Sequence, residues 1–136
     1  MPIKRGDPKN LANVRSNVYH HYIRVDNPKS LIFLSGQLSR DGDGKLVGAG
    51  DMAEQTRQAI RNMRTVLESA GGMLEDIVQL IVFTTDMREF KNIVAARIEF
   101  FKTKLPTSTI VEENHLADPG LLIEFHAIAA IAERFS

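Results

Sequence analysis

The sequence predicts an α+β fold in which two helices cover one face of a mixed β-sheet. Apolar residues recur at spacings of three and four in two segments, and short runs rich in β-branched residues precede and follow these segments. The run 77–85 (IVQLIVFTT) is apolar along most of its length, which is typical of a central strand covered on both faces. No linker or repeat divides the 136 residues, so we expect residues 1–136 to form a single domain.

The composition excludes several classes of protein. The chain has 17 Lys and Arg residues against 17 Asp and Glu residues, so it lacks the positive excess that binds nucleic acid. It has no cysteine, and His20, His21 and His115 are too scattered for a zinc site, so we predict no metal. No apolar run is long enough for a membrane span or a signal peptide. These features predict a cytoplasmic protein without a membrane partner.

The N-terminal part of the sequence predicts an irregular segment followed by a β-hairpin. The polar stretch Lys4–Asn17 is expected to lie on the surface without regular structure. Tyr19–Val25 and Ser30–Ser35 are rich in aromatic and β-branched residues, and Asp26–Lys29 between them has the composition of a turn. We therefore expect these two runs to pair with each other.

Two Asp-Gly pairs predict a further turn. Asp41–Gly44 should reverse the chain between Leu38 and a short strand at Lys45–Val47, because glycine readily adopts positive φ. The motif resembles part of a calcium loop, but it lacks the bidentate glutamate that such a loop requires. It is interpreted as a turn.

The first helix is expected at Met52–Ala70. Asp51 and Glu54 have the spacing of a capping box, and Gly71–Gly72 would end the helix in a left-handed conformation. Its apolar stripe consists of Ala53, Thr56, Ile60, Met63, Leu67 and Ala70.

The second helix is expected at Met87–Lys104. Asp86 and Glu89 repeat the capping-box spacing, and the helix must end before Pro106. Its apolar stripe consists of Phe90, Ile93, Val94, Ile98 and Phe101.

Two strands are expected to close the chain, at Ser108–Asn114 and, after a turn at Asp118–Gly120, at Leu121–Ala132. The alternation of side chains along the last strand defines two faces. One face carries Leu121, Ile123, Phe125, Ala127, Ala129 and Ile131, and the other carries Leu122, Glu124, His126, Ile128 and Ala130. Both faces are expected to be largely buried.

Two helices can cover only one face of such a sheet, and no further element of the chain remains for the other face. We therefore expect copies of the chain to cover it, most simply in a small closed ring. Glu124 and His126 would then lie near a subunit boundary. A carboxylate buried there must be paired with another group or used in chemistry.

Short motifs occur in a characteristic order along the chain: Ser35-Gly36-Gln37, Gln55–Gln58 with Asn62, Glu75–Val78 before Val82-Phe83, Phe100-Phe101, and Leu105-Pro106 before Ile123–Phe125. In these motifs the chain, from Tyr19 to its C-terminus, resembles the RidA/YjgF family. The resemblance implies a chorismate-mutase-like fold and a homotrimer with clefts between subunits. It also implies a deaminase, a hydrolase that converts reactive enamines and imines to keto acids and ammonia without a cofactor.

The resemblance also implies candidate site residues. The glutamate that positions the attacking water corresponds to Glu124, and the Ser-Gly pair at a strand end corresponds to Ser35 and Gly36. The ring residue that lines the cleft falls near His21 or Tyr22.

The sequence departs from the family at the substrate carboxylate. Ser108 stands where the family has a carboxylate-binding arginine, and Ile110 stands where many members have cysteine. A hydroxyl group offers one hydrogen-bond donor and no charge, so the guanidinium group that usually binds the substrate carboxylate is lost.

Several interpretations of this departure stay open. Another cation, Arg40, Arg97 or His126, could bind a differently placed carboxylate, or the substrate could be different, as in 2-aminomuconate deaminase, which residues 117–124 resemble. Alternatively, the protein could be a noncatalytic small-ligand-binding or chaperone-like trimer, and an endoribonuclease or translation inhibitor is less favoured because the charge is balanced. Glu124 and His126 could also form only a structural pair. We favour a small-molecule enzyme, because Glu124 shares its strand face with apolar neighbours.

Overall fold

The computed structural model describes residues 2–133, so Met1 and residues 134–136 of the predicted domain lie outside the described residues. The strands are β1 (Ile3–Gly6), β2 (Tyr22–Val25), β3 (Ser30–Phe33), β4 (Gln37–Leu38), β5 (Ile77–Thr84), β6 (Thr107–Glu112) and β7 (Ile123–Ile131). The helices are α1 (Met52–Ser69) and α2 (Phe90–Ile98), and short 3-10 turns at Leu74–Asp76 and Met87–Glu89 precede β5 and α2.

The main sheet has five strands and is mixed, as predicted. Its order is β3-β7-β5-β6, and β4 pairs with the same edge of β7 as β3 does. The β5–β6 pair is parallel, and the pairs formed by β7 are antiparallel. β5 and β7 therefore form the middle of the sheet, while β6 lies at one edge. The predicted α+β fold is confirmed.

The predicted hairpin is wrong. β2 pairs with β1, which lies in the stretch expected to be irregular, and the two strands form a separate sheet. β3 pairs instead with β7, about a hundred residues away. The turn between β2 and β3 carries the chain from one sheet to the other, because the Asp26 amide donates to Pro2 O and the Lys29 amide donates to Ile131 O. Turn composition indicates a change of direction but does not select the partner strand.

The Asp41–Gly44 turn is present, with the Asp41 amide bonded to Lys45 O at 2.9 Å. The strand predicted at Lys45–Val47 is reduced to one β-bridge between Arg40 and Leu46.

The bounds of the first helix agree closely with the prediction, but in its predicted apolar stripe Ala70 is exposed and Ala53 is only partly buried. The Asp51 side chain accepts a hydrogen bond from the Glu54 amide at the N-terminus of α1, and Gly71 has φ +86° just beyond its end. Seven side chains of this helix are buried: Met52, Gln55, Thr56, Ala59, Ile60, Met63 and Leu67.

The second helix is shorter than predicted. The Asp86 side chain accepts from the Arg88 amide rather than completing a capping box with Glu89, and a 3-10 turn comes before α2. At the other end, the amides of Phe100 and Phe101 both donate to Arg97 O, which tightens the last turn. The chain then turns so that Phe101 enters the core. Among residues 2–133, neither helix is long and apolar enough to cross a membrane.

Both helices pack on one face of the main sheet, where Phe125, Leu80 and Val82 lie against the buried stripe of α1. The other face is only half covered. Phe33 is 70% exposed and Leu31 is 52% exposed, and Glu124, His126 and Ile128 are partly exposed. We call this surface the open face of the sheet. We expected both faces of β7 to be largely buried. In a single copy, only the face under the helices is buried in this way.

Candidate functional site

Glu124 and His126 form a hydrogen-bonded pair on the open face. Side chains two residues apart on a strand lie on the same face, and Glu124 Oε2 contacts His126 Nε2 directly. The Glu124 side chain is 19% exposed and that of His126 is 43% exposed. The ring of Phe83 on β5 lies edge-on to the imidazole, with ring centroids 5.1 Å apart. The pair thus joins a carboxylate and a proton carrier at a partly accessible position.

Gly36 lies directly against this pair. Between the pairs Phe33–Ile128 and Gln37–Phe125, three residues on the β3–β4 edge stand opposite two on β7. The resulting break brings the Gly36 backbone close to the site. A Cβ atom added there would lie 2.8 Å from Glu124 Cδ and from His126 Nε2. Glycine is therefore required by close approach, and Ser35 lies exposed beside it.

Two polar side chains of α1 hold the segments that carry this site. Asn62 donates to the carbonyls of Leu38 and Arg40 at 2.9 Å each, which fixes the end of β4. The buried Gln55 donates to Gly120 O at 2.9 Å and accepts from the Leu122 amide at 2.9 Å, which fixes the entry to β7. The polar residues of the helix motif thus position the strands around Glu124.

Ser108 and Ile110 lie on the opposite face of the sheet from Glu124. They pair with Leu80 and Val82 of β5, whose side chains are buried under the helices. Within one copy, the sheet separates these two predicted binding residues from the Glu124–His126 pair. The predicted site residues thus fall into two groups.

A buried guanidinium lies beside Ser108. Arg97 on α2 is only 4% exposed; its Nη1 donates to Ser108 Oγ at 2.9 Å and its Nη2 donates to Val18 O at 3.4 Å. Burial lowers the pKa of the Arg97 guanidinium to about 10, so the group remains charged at neutral pH. Of the three alternative cations considered, Arg97 is the one that contacts the position of the missing arginine.

Arg97 and Ser108 belong to a cavity of about 450 Å³. We call it the helix-side cavity. Its walls come from the segment before β2, from α2 with its preceding turn, and from β6. The lining residues are Arg15, Val18, Tyr19, Met87, Phe90, Arg97, Ser108 and Ile110. The Arg15 guanidinium lies over the Phe90 ring, 4.6 Å from its centroid.

The structure places the other predicted residues elsewhere. Tyr22 is exposed in the two-stranded sheet, where its ring lies over Gly6. Arg40 is paired with Asp118. The His21 ring contacts the ring of Tyr19 edge-on at 5.8 Å, and Tyr19 is the aromatic residue that lines the helix-side cavity.

Arg15, Tyr19 and Phe90 are among the lining residues that the sequence does not predict as site residues. Arg15 lies in the stretch that the sequence predicts to be irregular, Tyr19 in a predicted strand, and Phe90 in the predicted apolar stripe of the second helix. Only the packing of the N-terminal segment on α2 reveals their shared cavity.

Asp7 organises the segment that forms one wall of this cavity. Its carboxylate accepts hydrogen bonds from His20 Nδ1 and the His21 amide, both at 2.8 Å, and from Asn13 Nδ2 at 3.0 Å. The hydrogen bonds from His20 and the His21 amide, with that from Asn13, lower the pKa of Asp7 to about 2. Within residues 2–133, no group of three or more His, Cys, Asp or Glu side chains could hold a metal ion.

The helix-covered mixed sheet, with a Ser-Gly strand break beside a glutamate on its last strand, defines an α+β protein of the RidA/YjgF type. The chain matches the family model described as Endoribonuclease L-PSP over residues 12–131, and it belongs to this family, the YjgF/RidA family.

Known relatives and solved structures agree with this assignment. A RutC family protein from Pyrococcus abyssi is 34% identical over 111 residues, which cover 82% of this chain and 84% of the relative. Protein HMF1 from Saccharomyces cerevisiae is 35% identical over 112 residues, which cover 82% of this chain and 83% of the relative. The crystal structure of a Rid family protein of unknown function from Yersinia pestis matches with a TM-score of 0.88 at 25% identity, covering 96% of this chain and 100% of that one.

Proposed function

We propose that this protein is a hydrolytic deaminase that acts on enamines or imines of small carboxylates, at a cleft between copies in a homotrimer. The observation that carries the proposal is the Glu124–His126 pair, which lies on the open face with the Gly36 backbone against it. A carboxylate among apolar neighbours is costly unless it is paired or used, and here the pair remains partly accessible.

Hydrolysis of an imine requires a group that accepts a proton from water and a group that donates a proton to nitrogen. A protonated imine carbon is electrophilic, and Glu124 accepts a proton from a water molecule that attacks it. The resulting carbinolamine receives a proton on nitrogen, for which His126, hydrogen-bonded to Glu124, is the donor. The carbon–nitrogen bond then breaks while the carbinolamine hydroxyl group returns a proton to His126, and the departing ammonia takes the proton held by Glu124, so a keto acid and ammonium are released. One imine and one water are consumed, with no change in oxidation state.

An assembly is part of the proposal because one copy does not bring the two groups of residues together. The open face presents Phe33 and Leu31 to solvent, which favours contact with another copy. β6 is an edge strand, so the helix-side cavity lies at the margin of the sheet. Packing of copies around a threefold axis would set the Glu124 group of one copy beside the cavity of its neighbour.

The decisive experiment measures hydrolysis of an imine that is generated in the assay. A serine or threonine dehydratase supplies 2-aminoacrylate, and keto-acid release is followed with and without this protein. We expect the wild type to accelerate release and E124Q to lose about 100- to 10,000-fold of that effect, as for removal of a general base. The control E68Q changes an exposed glutamate on α1 and should behave like the wild type.

No acceleration with any enamine tested would overturn the deaminase proposal and favour the noncatalytic ligand-binding trimer. RNA cleavage is not part of the proposal, although the family model is named for it, because the chain has zero net charge.

A further inference from the structure

A buried positive charge without a negative partner is the feature that the proposed chemistry leaves unexplained. Within residues 2–133, no carboxylate forms an ion pair with Arg97, and its hydrogen bonds to protein atoms go to the Ser108 hydroxyl and the Val18 carbonyl. Charged side chains are almost never fully buried unless they are paired. A guanidinium has five N–H donors, so donors remain available on Arg97.

The charged side chains that line the helix-side cavity all have the same sign. The helix-side cavity is lined by two guanidinium groups, those of Arg97 and Arg15, and by no acidic residue. Arg15 also has no carboxylate partner in the described part of the chain, and it is held over Phe90 by a cation–π contact. The remaining walls are apolar or aromatic, apart from the hydroxyl groups of Tyr19 and Ser108. Such a cavity favours an anion with an apolar body.

We propose that the helix-side cavity is a carboxylate-binding subsite in which Arg97, on α2, and Ser108 together hold the anion. The exposed Arg15, which also lines this cavity, binds a second carboxylate, so the preferred ligands are dicarboxylates. As a substrate subsite this inference rests on the proposed function, whereas as a binding site it can be tested without turnover.

The hydrogen bond between Arg97 and Ser108 has a useful direction for this role. The guanidinium donates and the hydroxyl oxygen accepts, so the hydroxyl hydrogen of Ser108 is free to point at a ligand. A carboxylate seated there would receive one bond from the hydroxyl group and charge-assisted bonds from the guanidinium. Serine at this position then forms part of the clamp.

The experiment measures binding of unreactive carboxylates by titration calorimetry. Succinate, glutarate and adipate are compared with butyrate, pentanoate and hexanoate, which have the same chain lengths and one carboxylate fewer. We expect at least one dicarboxylate to bind about tenfold more tightly than its monocarboxylate partner. R97M should weaken the binding of both kinds of ligand by about 10- to 100-fold. R15M should weaken only the dicarboxylate and so remove the preference.

R64M is the matched control. Arg64 also lies over a phenylalanine ring, that of Phe100 at 5.7 Å, but it does not line the helix-side cavity. Its replacement should leave every affinity unchanged. If R97M fails to fold, R97K and S108A test the same binding site, because each removes hydrogen-bond donors while keeping a positive charge at position 97. Each of these variants should weaken the binding of both kinds of ligand.

Unchanged binding in R97M, or in both R97K and S108A, would overturn the subsite, and so would the absence of measurable binding by any dicarboxylate. Failure of the deaminase proposal can be distinguished from failure of the subsite, because E124Q should lose turnover while keeping the affinity for dicarboxylates. Loss of that affinity in E124Q would instead place the ligand at the Glu124–His126 pair, and a gain would show that Glu124 of a neighbouring copy pairs with Arg97 and competes with the ligand; either result overturns the subsite.

Discussion

Replacement of Gly36 by alanine is expected to reduce the proposed deaminase activity much more than it reduces stability. The added Cβ would lie 2.5 Å from Glu124 Oε2 and 2.8 Å from His126 Nε2, whereas ordinary contacts begin near 3.4 Å. The carboxylate and the imidazole must therefore retreat by roughly 0.6 to 0.9 Å, and a misplacement of about 1 Å lowers catalysis about 100-fold.

The stability of the same variant should change little. The atoms that must move are the ends of partly exposed side chains, and Gly36 does not have a positive φ that alanine would strain. We therefore expect the free energy of unfolding to fall by less than about 1 kcal/mol, below the usual cost of overpacking a closed core.

The assay compares kcat/KM in the imine-coupled reaction with urea unfolding of the same preparations. G42A is the control, because a Cβ at Gly42 meets no atom within 4 Å and its backbone does not have a positive φ. It should match the wild type in both measurements. Full activity in G36A would refute the idea that the close approach of Gly36 sets the position of the Glu124 carboxylate.

Two further predictions concern pH and assembly. The pKa of Asp7 is lowered to about 2 from 3.8, so its stabilising contribution is present above pH 3.8 and is lost as the pH falls towards 2. Thermal unfolding across that range should therefore show a steeper loss of stability in the wild type than in D7N; equal slopes would contradict the role given to the hydrogen bonds of Asp7. F33D should convert the proposed trimer to monomers in light scattering, because it places a charge on an apolar part of the open face that is 70% exposed. I98D, on the helical layer, should leave the mass unchanged, and a wild-type monomer at micromolar concentration would remove the basis for the assembly.

The elements predicted correctly are those whose signal is local. The helical stripe and capping residue of α1, and the apolar runs of β5 and β7, each lie within a single segment of sequence. The hairpin failed because strand partners are chosen over the whole chain. Strand β7 is long and apolar, so β3 forms its hydrogen bonds with β7 inside the main sheet. Strand β2 then pairs with β1.

In the candidate site, too, the features that depend on local sequence were predicted and those that depend on distant contacts were not. The period of two along β7 is sufficient to place Glu124 and His126 on one face. The contact of Gly36 with them depends on a single extra residue at the strand break, which the sequence pattern does not reveal. The meeting of Arg97 and Ser108 depends on how α2 packs against β6, so Arg97 could be named only as one of three cations.

Moving the cation from the sheet to the helix has a consequence for ligand shape. A serine at position 108 leaves space beside β6 that an arginine side chain would fill, and Arg97 reaches this space from α2 with its guanidinium almost fully buried. In the proposed subsite, the body of a ligand whose carboxylate meets Arg97 therefore lies among the rings of Tyr19 and Phe90. A short substrate held there would place its imine carbon inside the cavity, away from any Glu124 at the open face. A longer body lets the reacting carbon stay at the margin of the sheet, so we expect the loss of the strand arginine to select for extended substrates.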